Sequence, residues 1–322
     1  MRHARATNEG SRILTRDECM PIRCIVSSLT MLCLLIVSPS IAAAQRDFSM
    51  VEIETIELGS GLAMLRGAGG NIGVSTGPDG VFLIDDQYAP LGEKIRAAVA
   101  ALSTEPIRFV LNTHWHGDHT GGNENLGKAG VLIFAHHRVR ERMSTDQFQA
   151  LRGRTTPASP EAAWPVVTFE DGVTLHLNGQ TIEAIHVDPA HTDGDSLVHF
   201  READVLHMGD TFFAGIYPFI DVSSGGRIDG MIAAADRGLA IAGPKTRIIP
   251  GHGPLSDRAG LLATRDMLIS VRDRIRNLIA EGADRDAVVA GKPSAAFDAE
   301  FGGGFLSPDD FVAIAYESLK PR

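Results

Sequence analysis

The segment Asn112-Thr113-His114-Trp115-His116-Gly117-Asp118-His119-Thr120-Gly121-Gly122 places four metal-ligand side chains within six residues. His114, His116 and Asp118 are two residues apart, so in an extended backbone they share one side, while His119 faces elsewhere. One short loop can therefore offer two ligands to one cation and two to a neighbour. Gly117 and the pair Gly121-Gly122 allow the sharp turns between them. Three further ligand-type residues interrupt apolar sequence after expected strands. They are His191 in Pro-Ala-His-Thr-Asp-Gly-Asp, Asp210 in Met-Gly-Asp, and His252 in Pro-Gly-His-Gly-Pro. Loops at strand ends are where rigid scaffolds display chemistry. All three cysteines, Cys19, Cys24 and Cys33, precede residue 45. Beyond that point a cation must be held by histidine and carboxylate, a donor set that suits zinc first, with iron and manganese as alternatives.

The elements that must position these residues are legible in outline. Val51–Glu57 alternates like a half-buried strand. Ile72–Thr76 and Val81–Ile84 flank Gly77-Pro78-Asp79-Gly80 as a hairpin. Glu93–Leu102 has helical spacing. Ile107–Leu111 and Val131–Ala135 read as buried strands, and Arg138–Met143 as a helix. Thr155–Pro165 reads as an exposed loop. Strands are expected over 166–169, 173–177, 181–186, 196–200, 205–208 and 246–249. Helices are expected over 228–241, 261–279 and 308–319. Two strand-rich halves, each ending in helices, fit two sheets packed face to face with helices outside. The order lacks regular strand–helix alternation and a glycine-rich phosphate motif, which excludes a Rossmann sheet.

The His-x-His-x-Asp-His segment, with His191, Asp210 and His252 at these spacings, resembles the metallo-β-lactamase superfamily over roughly residues 50 to 280. The resemblance implies an α/β fold, a four-layer αββα sandwich of two mixed β-sheets flanked by helices, with metals in a shallow groove at one sheet edge. It implies that His114, His116 and His191 hold a first metal, that Asp118, His119 and His252 hold a second, and that Asp210 bridges them. Two Zn2+ per chain are expected. Two dications about 3.5 Å apart can share a hydroxide and so supply a nucleophile at neutral pH. Asp118 is then the catalytic residue, orienting the hydroxide and passing its proton to the leaving group. The remaining histidines, His136, His137, His176, His186, His199 and His207, are expected to be structural or to support ligands. Trp115 is expected to pack away from the metals, and one of Asp85 and Asp86 to support the histidine loop. Asp193 and Asp195 are candidates for orienting His191.

Composition narrows the function. The chain has 322 residues, 30 basic and 40 acidic, for a net charge of −10. Hydrophobic residues at 44% and charged ones at 22% are those of a globular chain. Arg2, Arg5, Arg12, Arg16 and Arg23 precede an apolar run from Ile25 to Val37 and then Ser38-Pro39-Ser40-Ile41-Ala42-Ala43-Ala44. That order reads as a signal peptide over 1–44, cleaved near Ala44, with Met20 as an alternative start and an uncleaved anchor as the rival reading. Export to the periplasm or beyond follows, with no stable membrane insertion of the remainder. Residues 45–322 then form one hydrolase domain with a helical tail from about 283. This part carries 25 basic against 37 acidic residues, a charge of −12 that disfavours nucleic acid as a partner. A small-molecule substrate is expected, and export favours β-lactam ring opening. The sequence departs from the best-known β-lactamases at two points. Asp210 stands where many have a cysteine ligand, and Phe213 stands where a lysine grips the substrate carboxylate. Ser223, Ser224 and Arg227 are candidate substitutes for that lysine. The alternatives are a lactonase, esterase or related acyl hydrolase, an iron-dependent oxygenase on the same fold, and a metal-binding protein without catalysis.

Overall fold

The computed structural model describes residues 47–150 and 153–320. The expected signal peptide, its cleavage point and the Met20 start lie outside the described residues. Among those described, no helix is long and apolar enough to cross a membrane.

The first sheet contains β1 (Glu54–Gly59), β2 (Leu62–Arg66), β3 (Ile72–Ser75), β4 (Val81–Ile84), β5 (Ile107–Asn112) and β6 (Leu132–His136). A small hairpin, β7 (Gln147–Gln149) with β8 (Arg154–Thr156), stands apart, and β9 (Val167–Phe169) returns to the sheet edge beside β6. Pairing is antiparallel from β1 to β4 and parallel across β4, β5, β6 and β9. The second sheet follows as β10 (Gly172–Leu177), β11 (Gln180–His186), β12 (Ser196–Phe200), β13 (Val205–His207), β14 (Arg247–Ile249) and β15 (Ser256–Asp257). Only its β13–β14 contact is parallel. Both sheets are therefore mixed.

Side-chain alternation builds the layers. Met64, Phe82, Ile84, Leu111 and Phe134 of the first sheet meet Ile182, Ala184, Val198, Phe200 and Val205 of the second in one core. The intervening residues point outward. Leu65, Leu83, Val110 and Ile133 pack with Ile95 and Val99 of the helix Gly92–Leu102. On the far side Leu197, Leu206 and Ile248 pack with Met231 of the helix Ile228–Ile241, and with Leu261, Leu268 and Val271 of the helix Arg258–Ala280. The result is helix, sheet, sheet, helix: the αββα sandwich. The C-terminal helix Pro308–Ser318 adds Phe311, Val312 and Ala315 to this last core, so the tail completes the outer layer.

Several expectations shift. The stretch 155–165 is not wholly an exposed loop, because Arg154–Thr156 pairs with Gln147–Gln149 and Ala163 is buried beside Trp115 and Val139. Strand β2 lies in a run that carries no alternation, since all of Leu62–Leu65 is buried between the core and the outer helix layer. The helix Arg258–Ala280 begins earlier than its apolar spacing predicts, because Asp257 caps the backbone N–H groups of Ala259 and Gly260.

Candidate metal centre

All seven candidate ligands sit where strands end. His114–His119 follow β5, His191 lies between β11 and β12, Asp210 follows β13, and His252 follows β14. The histidine loop is not extended throughout. Residues Gly117–Thr120 form a single helical turn, so Asp118 swings to the side of His119 rather than of His114 and His116. Two groups of close-set ligand atoms result: His114, His116, His191 and Asp210 in one, and Asp118, His119 and His252 in the other. Asp210 faces both. Its Oδ2 lies 3.4 Å from His191 Nε2 and 3.8 Å from His114 Nε2. Its Oδ1 lies 3.0 Å from His119 Nε2 and 3.4 Å from His252 Nε2.

Outer hydrogen bonds fix the rings. The carbonyl of Phe219 accepts from His191 Nδ1 at 2.7 Å, and Asp221 Oδ2 accepts from His116 Nε2 at 2.9 Å. Burial, the first influence on both rings, keeps them below the ordinary imidazole value and so uncharged at neutral pH. Each then carries a lone pair on its inner nitrogen, and these nitrogens, His116 Nδ1 and His191 Nε2, stand 2.8 Å apart. Two lone pairs at that distance repel unless a cation lies against them. His114 Nε2 is also buried without a hydrogen-bond partner. Unsatisfied buried acceptors are costly in isolation and are what a cation would complete. The donor set thus fits a pair of N/O-ligated divalent cations.

Most of the supporting residues come from elsewhere in the chain. Asp85, held at a positive φ of 65°, accepts from Thr113 N and Thr113 Oγ1 and from His119 Nδ1, all within 2.8 Å. Asp86 instead accepts from Gly122 N. Asp195 cradles the backbone of His191 and Thr192, whereas Asp193 pairs with Arg142. Asn71 anchors the His252 loop by donating to the carbonyls of Pro250 and Gly253. His207 bridges Asn71 O and Gly209 N. Trp115 packs with Ala135, Val139 and Met143, and its Nε1 donates to Ser224 Oγ, which in turn donates to Asp221. Ser224 is therefore committed and not free to take a substrate carboxylate. His136 stacks on His186 with centroids 3.7 Å apart and is pushed down to about 3, first by burial and then by His186. It plays no part in the ligand groups.

Sequence reading missed Asp221 and Asn71. Asp221 lies 105 residues from His116, in an apolar loop, with no local pattern to mark it. Asp221→Ala is expected to weaken binding of the first metal by about 10- to 100-fold, because His116 loses the acceptor that fixes its ring. Competition against a chelator checks this.

The two ligand groups differ in charge. Burial, followed by the charge of His119, keeps His114 well below its ordinary value. Around His119 burial acts the same way, but Asp210, Asp85 and Asp118 together outweigh it and hold the ring well above. His252 is likewise opposed by burial yet pushed up to about 9 by Asp210 and Asp118. Without metal, then, the first trio of histidines is neutral at pH 7 and the second pair is protonated. A cation binding at the second group displaces protons, so its apparent affinity falls about tenfold per pH unit for each proton displaced once the pH lies below the raised values of these two rings. The first group meets such competition only below the ordinary imidazole range. Metal stoichiometry followed from pH 9 to pH 5 is expected to drop from two to one before it drops to none.

The family model of the metallo-beta-lactamase superfamily matches residues 65–266. A hydroxyacylglutathione hydrolase of Gloeobacter violaceus is 32% identical over 144 residues, 42% of this chain and 49% of that protein. The lactamase-like protein aptB of Emericella nidulans is 26% identical over 205 residues, 60% of this chain and 57% of that protein. The chain thus spans about half to three-fifths of the length of these curated relatives. Among solved structures, a metallo-beta-lactamase from Pontibacter korlensis superposes with a TM-score of 0.53 at 20% identity, over 68% of this chain and 99% of that one. The inverting sec-alkylsulfatase Pisa1 from Pseudomonas sp. superposes with a TM-score of 0.60 at 19% identity, over 83% of this chain and 50% of that one. These structures share the fold, and the family match spans the loops that carry all seven ligands: the chain belongs to the metallo-beta-lactamase superfamily.

Proposed function

We propose that the chain is an exported, two-zinc hydrolase that cleaves small acyl compounds: esters, lactones or thioesters. The observation that carries the hydrolase reading is Asp210, whose two oxygens each face a different group of histidines. Bound cations would acidify water and stabilise the developing oxyanion of a carbonyl substrate. The chain's own residues do the rest. The first three histidines are locked by Asp221, Phe219 O and Thr113, so they present fixed ligand atoms. Burial pushes Asp118 upward, but the charges of His119 and His252 outweigh it and hold the carboxylate well below its usual range. At 25% exposure Asp118 is the open carboxylate of the centre, against 5% for Asp210. It is placed to orient the attacking water, accept its proton and deliver it to the departing oxygen or sulfur.

The preference for a neutral acyl group rests on Phe213. This ring lies stacked on His252, with centroids 5.2 Å apart and planes at 16°, where a lysine would grip a substrate carboxylate. The names of several relatives as hydroxyacylglutathione hydrolases favour the same class. β-Lactam ring opening is the second reading, favoured by the signal-like first 44 residues, which point to the compartment where β-lactams act. The acidic balance supports a small-molecule substrate over nucleic acid.

The test is a turnover screen of zinc-loaded protein against aryl esters, lactones and S-acyl thioesters beside penicillins, cephalosporins and carbapenems. Turnover is expected in the first set, with weak or no turnover of carboxylated β-lactams. Fully metallated protein that cleaves none of these compounds would overturn the hydrolase reading, and turnover confined to β-lactams would replace the first reading with the second.

A further inference from the structure

Phe305 is 58% exposed, although the neighbouring aromatics of the C-terminal segment, Phe301 and Phe311, are 2% and 0% exposed. It is not a loose side chain at a loose end. The chain carrying it is clamped to the loop after Asp210. Tyr217 N donates to Phe301 O at 2.9 Å, Tyr217 Oη donates to Asp298 Oδ1 at 2.7 Å, and the Tyr217 ring stacks on Phe311 at 4.4 Å. Gly304 passes so close to Ile216 that an added Cβ would approach its side chain to 2.8 Å. This clamp sets the Phe305 ring 6.1 Å from Phe213 and 6.3 Å from His252. Phe213 is itself buried against His252, and His252 Nε2 is 3.4 Å from both Asp118 Oδ2 and Asp210 Oδ1. An exposed aromatic face is thus continuous with a stack that ends in a ligand of the centre.

Resting on the acyl-hydrolase reading above, we propose that Phe305 is a specificity-determining residue that seats an apolar chain or aryl ring of the substrate beside His252. A bound apolar group would cover a ring that the free protein leaves in water, whereas a polar or charged group would gain nothing there. The C-terminal segment, beyond completing the outer layer, then supplies one wall of the substrate site. Phe213, in ring contact with both Phe305 and His252, underlies that wall, and Ile216 packs against the neighbouring Gly304.

The experiment compares p-nitrophenyl acetate with p-nitrophenyl octanoate in the wild type, Phe305→Ala and Phe305→Leu, and measures binding of acetate and octanoate by calorimetry on the same zinc-loaded proteins. The wild type is expected to favour the octanoyl compound in both readouts. Phe305→Ala is expected to lose about tenfold in octanoate affinity and in kcat/KM for the octanoyl ester, with acetate and acetyl values within about twofold of wild type. Phe305→Leu restores most of the preference. Calorimetry reads the proposal even if no ester is cleaved, so failure of the hydrolase reading and failure of the Phe305 proposal are separate results. The same chain-length preference in wild type and Phe305→Ala, in binding, would overturn the proposal.

Discussion

Asp210→Ala is expected to abolish stable binding of both metals and to lower turnover by on the order of 10³-fold or more, as the charge stabilisation supplied by a two-metal centre is worth several kcal/mol. The reason is geometric. No other carboxylate among the described residues lies between the two ligand groups, with one oxygen near His191 and His114 and the other near His119 and His252. Single-histidine variants remove one ligand from one cation, whereas this one removes a ligand from both. It also leaves the buried His119 and the partly buried His252, both protonated, without their strongest partner, so the metal-free variant loses stability as well. Asp210→Asn separates the effects. It keeps the side-chain shape, and so should fold, but it lacks the anionic charge. Metal content by mass spectrometry, turnover, and circular dichroism on both variants check this. Retention of two metals by Asp210→Ala would contradict the bridging role.

The second large effect concerns a residue with no chemistry of its own. Gly251→Ala is expected to cost at least about 100-fold in turnover and roughly 1–3 kcal/mol in stability. A Cβ at this position would overlap Asp210 Oδ1 and press on the backbone of Gly209. The loop cannot simply retreat. Gly251 N donates to the carbonyls of Gly209 and Phe212, its own carbonyl accepts from Asn71 N, and Asn71 holds both flanks. The added methyl therefore moves Asp210 rather than His252. Gly303→Ala is the control, because no atom lies within 4 Å of its added Cβ. It should match the wild type in turnover and in melting temperature.

Much of this centre is legible before any coordinates, for a physical reason. Four ligands fall in one six-residue loop, and the other three each sit in a loop after a strand, as buried or partly buried polar side chains that a core cannot accept unpaired. The layered fold is legible for a similar reason. Strand β4 is buried on both faces and β5 in its second half, so they read as apolar runs, one ending at the supporting Asp85 and the other just before His114. What is not legible depends on partners far apart in the chain. Asp221 serves His116 across 105 residues, and Asn71 reaches Pro250 across 179. Between Asp85 and Asp86, adjacent and alike in type, only the tertiary fold decides that Asp85 holds His119 while Asp86 caps Gly122. Period-two reasoning about the histidine loop fails at Asp118, because a single helical turn replaces extended backbone there. The C-terminal segment carries no motif at all. Its contribution to the rim of the site depends on Tyr217 and Ile216 receiving it.

In the proposed centre His114, His116 and His191 would hold one cation, Asp118, His119 and His252 would hold another, and Asp210 would touch both. Diffraction data collected on either side of the zinc absorption edge, from crystals of the zinc-loaded protein, test it most directly. Two anomalous peaks flanking Asp210 are expected, one within each histidine group. A single peak, or peaks away from these seven side chains, would contradict it.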